Sequence, residues 1–335
     1  MTTQSVCGPA RGRRPGAGRG LIAIALLAVL AATGAHGKET LRVGHFPNIT
    51  HVQALVARQM ERQGKHWFAE RLGPGVRLEW YAYNAGPSAM EAIFAGSIDL
   101  TYVGPNPALN AYVRSLGEEV RVIAGAVNGG SALVVQKDSD LAKASDFRGK
   151  RIGTPQFGNT QDVAARAWLV DGGLRITQTG GEAQVLPTAN PDQLTLFLRK
   201  GLDAVWTVEP WVSRLEMDGG GKVLIEEKDA VTTVLVARAK FLQERRDLVR
   251  RFVTAHQELT DWIVKNPEQA QHLARSELRT TFRADLPAEL VARAWPRLTI
   301  TADTSPAAFE RFVASAKKIG FLRNPPDLSR LIETP

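Results

Sequence analysis

The chain is almost without cysteine. Its 335 residues contain one, Cys7, which excludes an internal disulfide and any cysteine-based zinc or iron–sulfur centre within the chain. No apolar run reaches the roughly 18 residues of a spanning helix. Charge of one sign is also scarce: 42 Lys plus Arg face 34 Asp plus Glu, a formal net charge of +8. Arg11, Arg13, Arg14 and Arg19 lie in an opening stretch that has no acid, so the remainder carries only +4. No dense basic block follows residue 40, which argues against a nucleic-acid partner. The signatures GxSxG, HExxH, Walker A and GxGxxG are all missing, and with them the commonest hydrolase, metalloprotease and nucleotide-binding readings. Low-complexity tracts and flexible linkers are missing after residue 40, so any lobes must be packed closely.

What is present begins with the run LIAIALLAVLAA at 21–32, preceded by a basic Gly/Pro-rich stretch and followed by small residues. That is the layout of a secretory signal peptide over residues 1–37. Ala35 and Gly37 place small side chains for cleavage before Lys38, and Thr33 with Ala35 allows a cut two residues earlier. An uncleaved membrane anchor is the alternative. Cys7 precedes the run, so it cannot be a lipoprotein cysteine, and the mature chain has none. The mature protein is expected to be soluble and exported.

A hydrophobic content of 44% fills a sizeable core. The elements alternate. LRVGHF (41–46) reads as a strand, and Thr50 as the cap of a helix carrying Val52, Leu55, Val56 and Met60. Val76–Trp80 reads as a strand. Ser88 and Glu91 read as a capping box for a helix over 89–95, and Ile98–Val103 as a further strand. The order recurs with a strand in 147–155, a helix from Asn159–Thr160, a strand over 183–186, a helix from Asn190 and a strand over 204–207. Such alternation predicts βα units around parallel sheets. MEAIFAGSIDLTYVG (90–104) is loosely echoed by LTLFLRKGLDAVWTVE (194–209). Each is a helix, a Gly, an Asp heading a buried strand, and a loop, which suggests two similar lobes. After residue 237 a helical tail of about 95 residues is expected, with Pro267, Pro287 and Pro306 near helix starts.

In such sheets ligands collect beyond the carboxyl ends of the strands. The loops there hold Asn48, Thr50, Asn106, Asn159, Thr160 and Gln161. These are neutral hydrogen-bonding residues at helix starts, a pattern that binds an anion without a buried lysine. Each also has a plain role. Thr50 and Thr160 read as N-caps, Asn48 and Asn106 as turn residues, and Trp206 and Trp211 as core or lobe-interface residues. Glu209, after a strongly apolar strand, accepts from a ligand, pins a hinge or is a solvated loop acid. His45 and His51 have no neighbouring Cys or carboxylate, so a structural role is expected there and no metal site. Asp99 and Asp203 are expected to make structural hydrogen bonds.

Five stretches carry a resemblance: LRVGHFPNITHVQALVA (41–57), EAIFAGSIDLTYVGPNPALNAYVRS (91–115), DFRGKRIGTPQFGNTQDVAARAWL (146–169), LPTANPDQLTLFLRKGLDAVWTVEPWVSRL (186–215) and GGKVLIEE (220–227). From about Leu41 to Leu322 the chain resembles the substrate-binding proteins of ABC importers in the nitrate, taurine and aliphatic-sulfonate group. The resemblance implies an α/β, two-lobed type II periplasmic-binding-protein fold with a mainly helical C-terminal region. One lobe would hold about 40–128 and 230–335, the other 129–229. Its ligand loops map to Asn48, Ile49, Thr50, Gly104, Pro105, Asn106, Gln156, Asn159, Thr160 and Glu209, with Trp206 and Trp211 shaping the organic part of the cleft. It implies a periplasmic location, no cofactor, no metal and no catalysis. The partners it implies are a small organic anion, foremost an aliphatic sulfonate, and an ABC permease with its ATPase subunit; the receptor itself would be monomeric. Nitrate, taurine, bicarbonate or an aromatic sulfonate are alternative ligands, and a pyrimidine-related enzyme or a ligand-sensing domain are alternative functions. Where relatives often carry Thr-Thr-His, this chain reads Thr232-Thr233-Val234.

Overall fold

The computed structural model describes residues 38–324 and 327–335. The expected signal segment lies outside the described residues. Among the described residues eleven strands form two sheets. They are β1 (Glu39–His45), β2 (Val76–Ala82), β3 (Leu100–Val103), β4 (Val120–Gly129), β5 (Ser131–Val135), β6 (Arg151–Thr154), β7 (Gln184–Pro187), β8 (Ala204–Val208), β9 (Lys222–Glu227), β10 (Val231–Arg238) and β11 (Leu298–Ile300). The first sheet runs β11-β4-β10-β3-β1-β2, the second β7-β6-β8-β5-β9. Reversing part of the first shows a shared plan: β2-β1-β3 and β7-β6-β8 are parallel triplets. Each triplet is continued by an antiparallel strand, β10 or β5, and then by β4 or β9.

The echo read in the sequence is a structural equivalence. Asp99 precedes β3 and accepts from the Arg42 backbone N–H at 3.0 Å and its Nε at 3.1 Å. Asp203 precedes β8 and accepts from the Arg151 backbone N–H at 2.8 Å and its Nε at 3.4 Å. In both sheets an aspartate after a glycine-ended helix ties the third strand to the first, the structural role expected of both acids.

The chain passes between the sheets at residues 129–131 and 227–231. At the first crossing Gly129 has φ +74°, and a Cβ there would meet the carbonyl oxygens of Arg297 at 2.3 Å and Lys228 at 2.6 Å. Only glycine meets both demands, the left-handed backbone and the close approach of two other segments.

Seven helices belong to the alternating part: α1 (Val52–Arg62), α2 (Trp67–Leu72), α3 (Gly86–Phe94), α4 (Pro105–Arg114), α5 (Thr160–Asp171), α6 (Asn190–Leu198) and α7 (Trp211–Gly219). Thr50 does not cap α1. It lies within the 3-10 turn Ile49–His51 that enters the helix, and Asn48 stands at the cap position. The capping box at Ser88 is also absent: α3 starts three residues earlier than expected, at Gly86, with Pro87 in its first turn, and the Ser88 hydroxyl bonds Gln156. By contrast Asn159 is a working N-cap of α5, its side chain accepting from the Asp162 N–H at 2.9 Å.

The C-terminal part is mainly helical but is broken by β11, which pairs antiparallel with β4. Helices Arg246–Lys265 and Pro267–Phe282 pack on the first sheet with α1 and α2. There Phe252 stacks on Phe68 at 4.5 Å between centroids. Each such fully buried aromatic contributes about 1.5–3 kcal/mol. The helix Ala307–Lys318 places Phe309 and Phe312 in one cluster with Ala111 of α4 and Val163 and Ala167 of α5. It therefore touches elements of both sheets. Val234, the departure from the Thr-Thr-His pattern, is wholly buried in this cluster.

Candidate ligand-binding site

The six parallel strands end on one cavity between the sheets. The chain leaving β1 supplies Phe46, Asn48, Thr50 and His51; that leaving β2 supplies Asn84, Ala85 and Gly86; that leaving β3 supplies Gly104 and Pro107. From the second sheet come Pro155 beyond β6, Asn190 beyond β7, Val208 at the end of β8, and Asn159, Thr160 and Gln161 opening α5. Thr232 of β10 completes the wall. The cavity is tight, with an internal volume of about 30 Å³, room for about one or two waters as the lobes stand closed.

Among the described residues no Asp, Glu, Lys or Arg lines this cavity. Its electrostatics come from helix ends. The N-terminal residues of α3, α4, α5 and α6, and of the 3-10 turn leading into α1, all reach it. The first N–H groups of a helix have no intrahelical acceptor, and each N-terminus carries roughly half a positive charge. Their convergence favours an anion while leaving nothing that must be buried as a full charge.

Three side chains add donors. The Asn48 Oδ1 accepts from Trp211 Nε1 at 3.0 Å and from Asn190 Nδ2 at 3.3 Å. An indole N–H only donates, so the Asn48 amide nitrogen is left for the cavity. The His51 Nδ1 accepts from the Phe46 N–H at 3.3 Å, which puts the ring proton on Nε2. Burial, and next the nearby His45, hold His51 neutral far below the ordinary histidine range. The Thr160 hydroxyl is buried and has no hydrogen-bond partner among the described residues. Gly104 makes room for it: a Cβ at Gly104 would stand 2.4 Å from Thr160 Oγ1.

The cavity is closed by bonds from one sheet's loops to the other's. Besides the Asn48 contacts, Ile49 N–H donates to the Glu209 carbonyl at 3.0 Å. Asn84 Nδ2 donates to the Pro155 carbonyl at 3.3 Å, and Gln156 Nε2 to Ser88 Oγ at 3.1 Å.

Of the residues singled out from the sequence, Asn48, Thr50, Gly104, Asn159, Thr160 and Gln161 come together on the cavity wall. Ile49, Pro105 and Asn106 do not line it; all three are buried in the turns beneath. Gln156 faces Ser88 outside it. Trp206 lies in the second sheet's core beside Trp168 at 6.1 Å, its indole donating to Glu227. Trp211 stands behind Asn48 rather than on the wall. Glu209 is fully buried and occupied: Arg297 Nη1 donates to its Oε1 at 2.8 Å and the Ser213 hydroxyl at 2.9 Å. Burial raises its pKa, against the opposing pull of Arg297 and Ser213. It braces the base of the second sheet against the segment before β11.

The sequence reading missed His51, Asn84 and Asn190 as wall residues. His51 follows Thr50 in the same turn, and Asn190 opens a helix beyond a strand, so the rule that exposed Asn159 applies to both.

The sequence profile of the NMT1-like family matches residues 34–276. The chain belongs to the NMT1-like family. A curated relative, the taurine-binding periplasmic protein of Escherichia coli K12, is 27% identical over 214 residues, covering 60% of this chain and 64% of that protein. The chain thus spans a little under two thirds of that relative's length. Among solved structures, the alkanesulfonate-binding protein SsuA from Xanthomonas axonopodis pv. citri bound to MOPS superposes with a TM-score of 0.70 at 19% identity. It covers 88% of this chain and 96% of its own. The periplasmic aliphatic sulphonate binding protein SsuA of E. coli gives 0.68 at 19%, covering 89% and 93%. The NMT1-like chain therefore has the periplasmic-binding-protein fold expected from its sequence.

Proposed function

We propose that this protein is an exported solute receptor of an ABC importer and binds a small organic anion, an aliphatic sulfonate being the class that fits best. The observation that carries this is the meeting of five helical N-termini and three free side-chain donors on one cavity without a charged side chain. A sulfonate is permanently ionised and needs donors only. The apolar portions of the wall, Phe46, Pro107, Pro155 and Val208, suit a short carbon chain. The names of the taurine and sulfonate relatives support the same class.

Binding rather than catalysis is the proposed role. The cavity's histidine has its lone-pair nitrogen occupied by the Phe46 N–H, so it offers no free base. In this reading residues about 40–128 with 230–335 form one lobe and 129–229 the other, and they close over ligand as a monomer. The closed pair is then presented in the periplasm to a permease driven by an ATPase subunit.

Calorimetry of residues 38–335 with ethanesulfonate, taurine, nitrate and sulfate tests it. At least one of the four should bind with Kd below about 1 mM, or roughly 4 kcal/mol. If none does, the reading is wrong.

A further inference from the structure

Asn48 is a donor in the cavity whose direction is set by two side chains from across the cleft. It belongs to the loop after β1 in the first sheet, whereas both groups that hold its Oδ1 come from elements of the second: Trp211 from the start of α7 and Asn190 from the start of α6. An asparagine amide is ambivalent. Turned one way it offers two N–H donors, turned the other a carbonyl acceptor. With the acceptor forward, the wall would repel an anion and welcome a neutral or cationic group.

We infer that Trp211 is a positioning residue which, helped by Asn190, sets the cavity's preference for anions by holding the Asn48 amide with its nitrogen toward the ligand, and does so only when the two sheets are together. This rests on the anion-receptor reading of the same cavity.

The geometry supports it at each link. Trp211 is 4% exposed and Asn48 is 4% exposed, so water does not compete for the bond between them. The indole cannot accept, so the bond has one polarity. Asn190 is fixed in turn, its Oδ1 taking the Thr207 hydroxyl at 3.4 Å, which leaves its Nδ2 for Asn48. Separation of the sheets would remove both donors from Asn48 Oδ1 at once. The amide would then be free to rotate, and the open form would lose selectivity together with affinity. Closure would thus finish a donor set that does not exist in the open form, coupling recognition of the anion to the conformation a transporter reads.

The test uses ethanesulfonate and its uncharged isostere ethanesulfonamide as probes, by calorimetry on the full mature chain. Trp211→Phe removes the N–H and keeps an aromatic ring. The inference expects ethanesulfonate affinity to fall about tenfold while ethanesulfonamide affinity holds or rises, so that the ratio between them shrinks about tenfold or more. Loss of packing alone would weaken both equally and leave the ratio unchanged, which would overturn the inference. In an Asn48→Ala background, Trp211→Phe should cause no further change in the ratio; an undiminished effect there would also overturn it. If Trp211→Phe does not fold, Asn190→Ala decides by the same ratio, with a smaller loss of about threefold expected and no change counting against the inference. A wild-type chain that binds no anion overturns the receptor reading and this inference with it. A wild-type chain that binds, with variants that keep its ratio, overturns this inference alone.

Discussion

Thr160 shows most directly how a single residue separates stability from function. Its hydroxyl is buried at the first position of α5, faces the cavity, and finds no acceptor or donor among the described residues. Burying an unpaired hydroxyl costs about 1–3 kcal/mol. A group kept at that cost for packing alone would be replaceable by a methyl of the same shape. Thr160→Val should therefore leave stability unchanged or raise it by up to about 1 kcal/mol. The same change should weaken the cavity's best anion about tenfold, because its oxygen atom loses a donor that no other side chain replaces. Paired thermal melts and calorimetry check this. A variant that binds as tightly as wild type would show that Thr160 serves only the local fold. A loss of both stability and affinity would show that the hydroxyl has an internal partner.

Among the elements, the two parallel triplets invite comparison because the same brace is built twice in different surroundings. Asp99 is fully buried and also takes Arg238 Nη2 at 3.3 Å, whereas the Asp203 side chain is 28% exposed. Removing a fully buried partner strands the charges that face it, at about 3–5 kcal/mol; a half-solvated pair is worth about 1 kcal/mol. Asp99→Ala should thus cost several times what Asp203→Ala costs in urea-induced unfolding, and equal costs would mean that burial does not distinguish the braces. This pairing was legible in the sequence because a Gly followed by an Asp at a strand head is a local pattern. The β4–β5 run, Val120–Val135, was not. Its strands are buried on both faces, so the alternation that marks a half-exposed strand is missing. The site divided in the same manner. Asn159 and Thr160 could be found from a helix start alone. That Asn48 meets Asn190, 142 positions away, depends on how two sheets face each other, which no local pattern states. Trp206 and Trp211 looked alike as aromatic residues near a strand end, yet strand alternation and the turn at Pro210 send one into the second sheet's core and the other behind Asn48.

For the molecule as a whole, the first sheet holds three buried histidines that fix its response to acid. His45 lies at the end of β1, His51 in the turn that follows, and His256 on the long helix behind, bonded to Tyr102 and to the Gly125 carbonyl. Burial lowers all three: His45 to about 3, with the charge of Arg58 adding to it, His256 to about 4, and His51 well below its ordinary value. An unfolded histidine binds its proton near pH 6.5. Below that value the unfolded chain takes up three protons that the folded chain refuses, so the stability present above pH 6.5 is lost as pH falls toward the folded values. Glu209 has the opposite sign, since its raised pKa favours the folded state as pH falls, but it is one group against three. The slope should approach about 4 kcal/mol per pH unit near pH 5, and between pH 7 and 5 the loss should reach about 2 kcal/mol for each histidine, a large share of the 5–15 kcal/mol typical of a folded protein. Urea unfolding at half-unit steps from pH 7.5 to 5 measures this, and His256→Gln should remove about a third of the slope. A stability that stays flat across that range would mean the histidines are reached by water and protonate in place. The neutral His51 donor in the cavity would then lose its basis as well, because it depends on the same exclusion of solvent that the acid sensitivity reports.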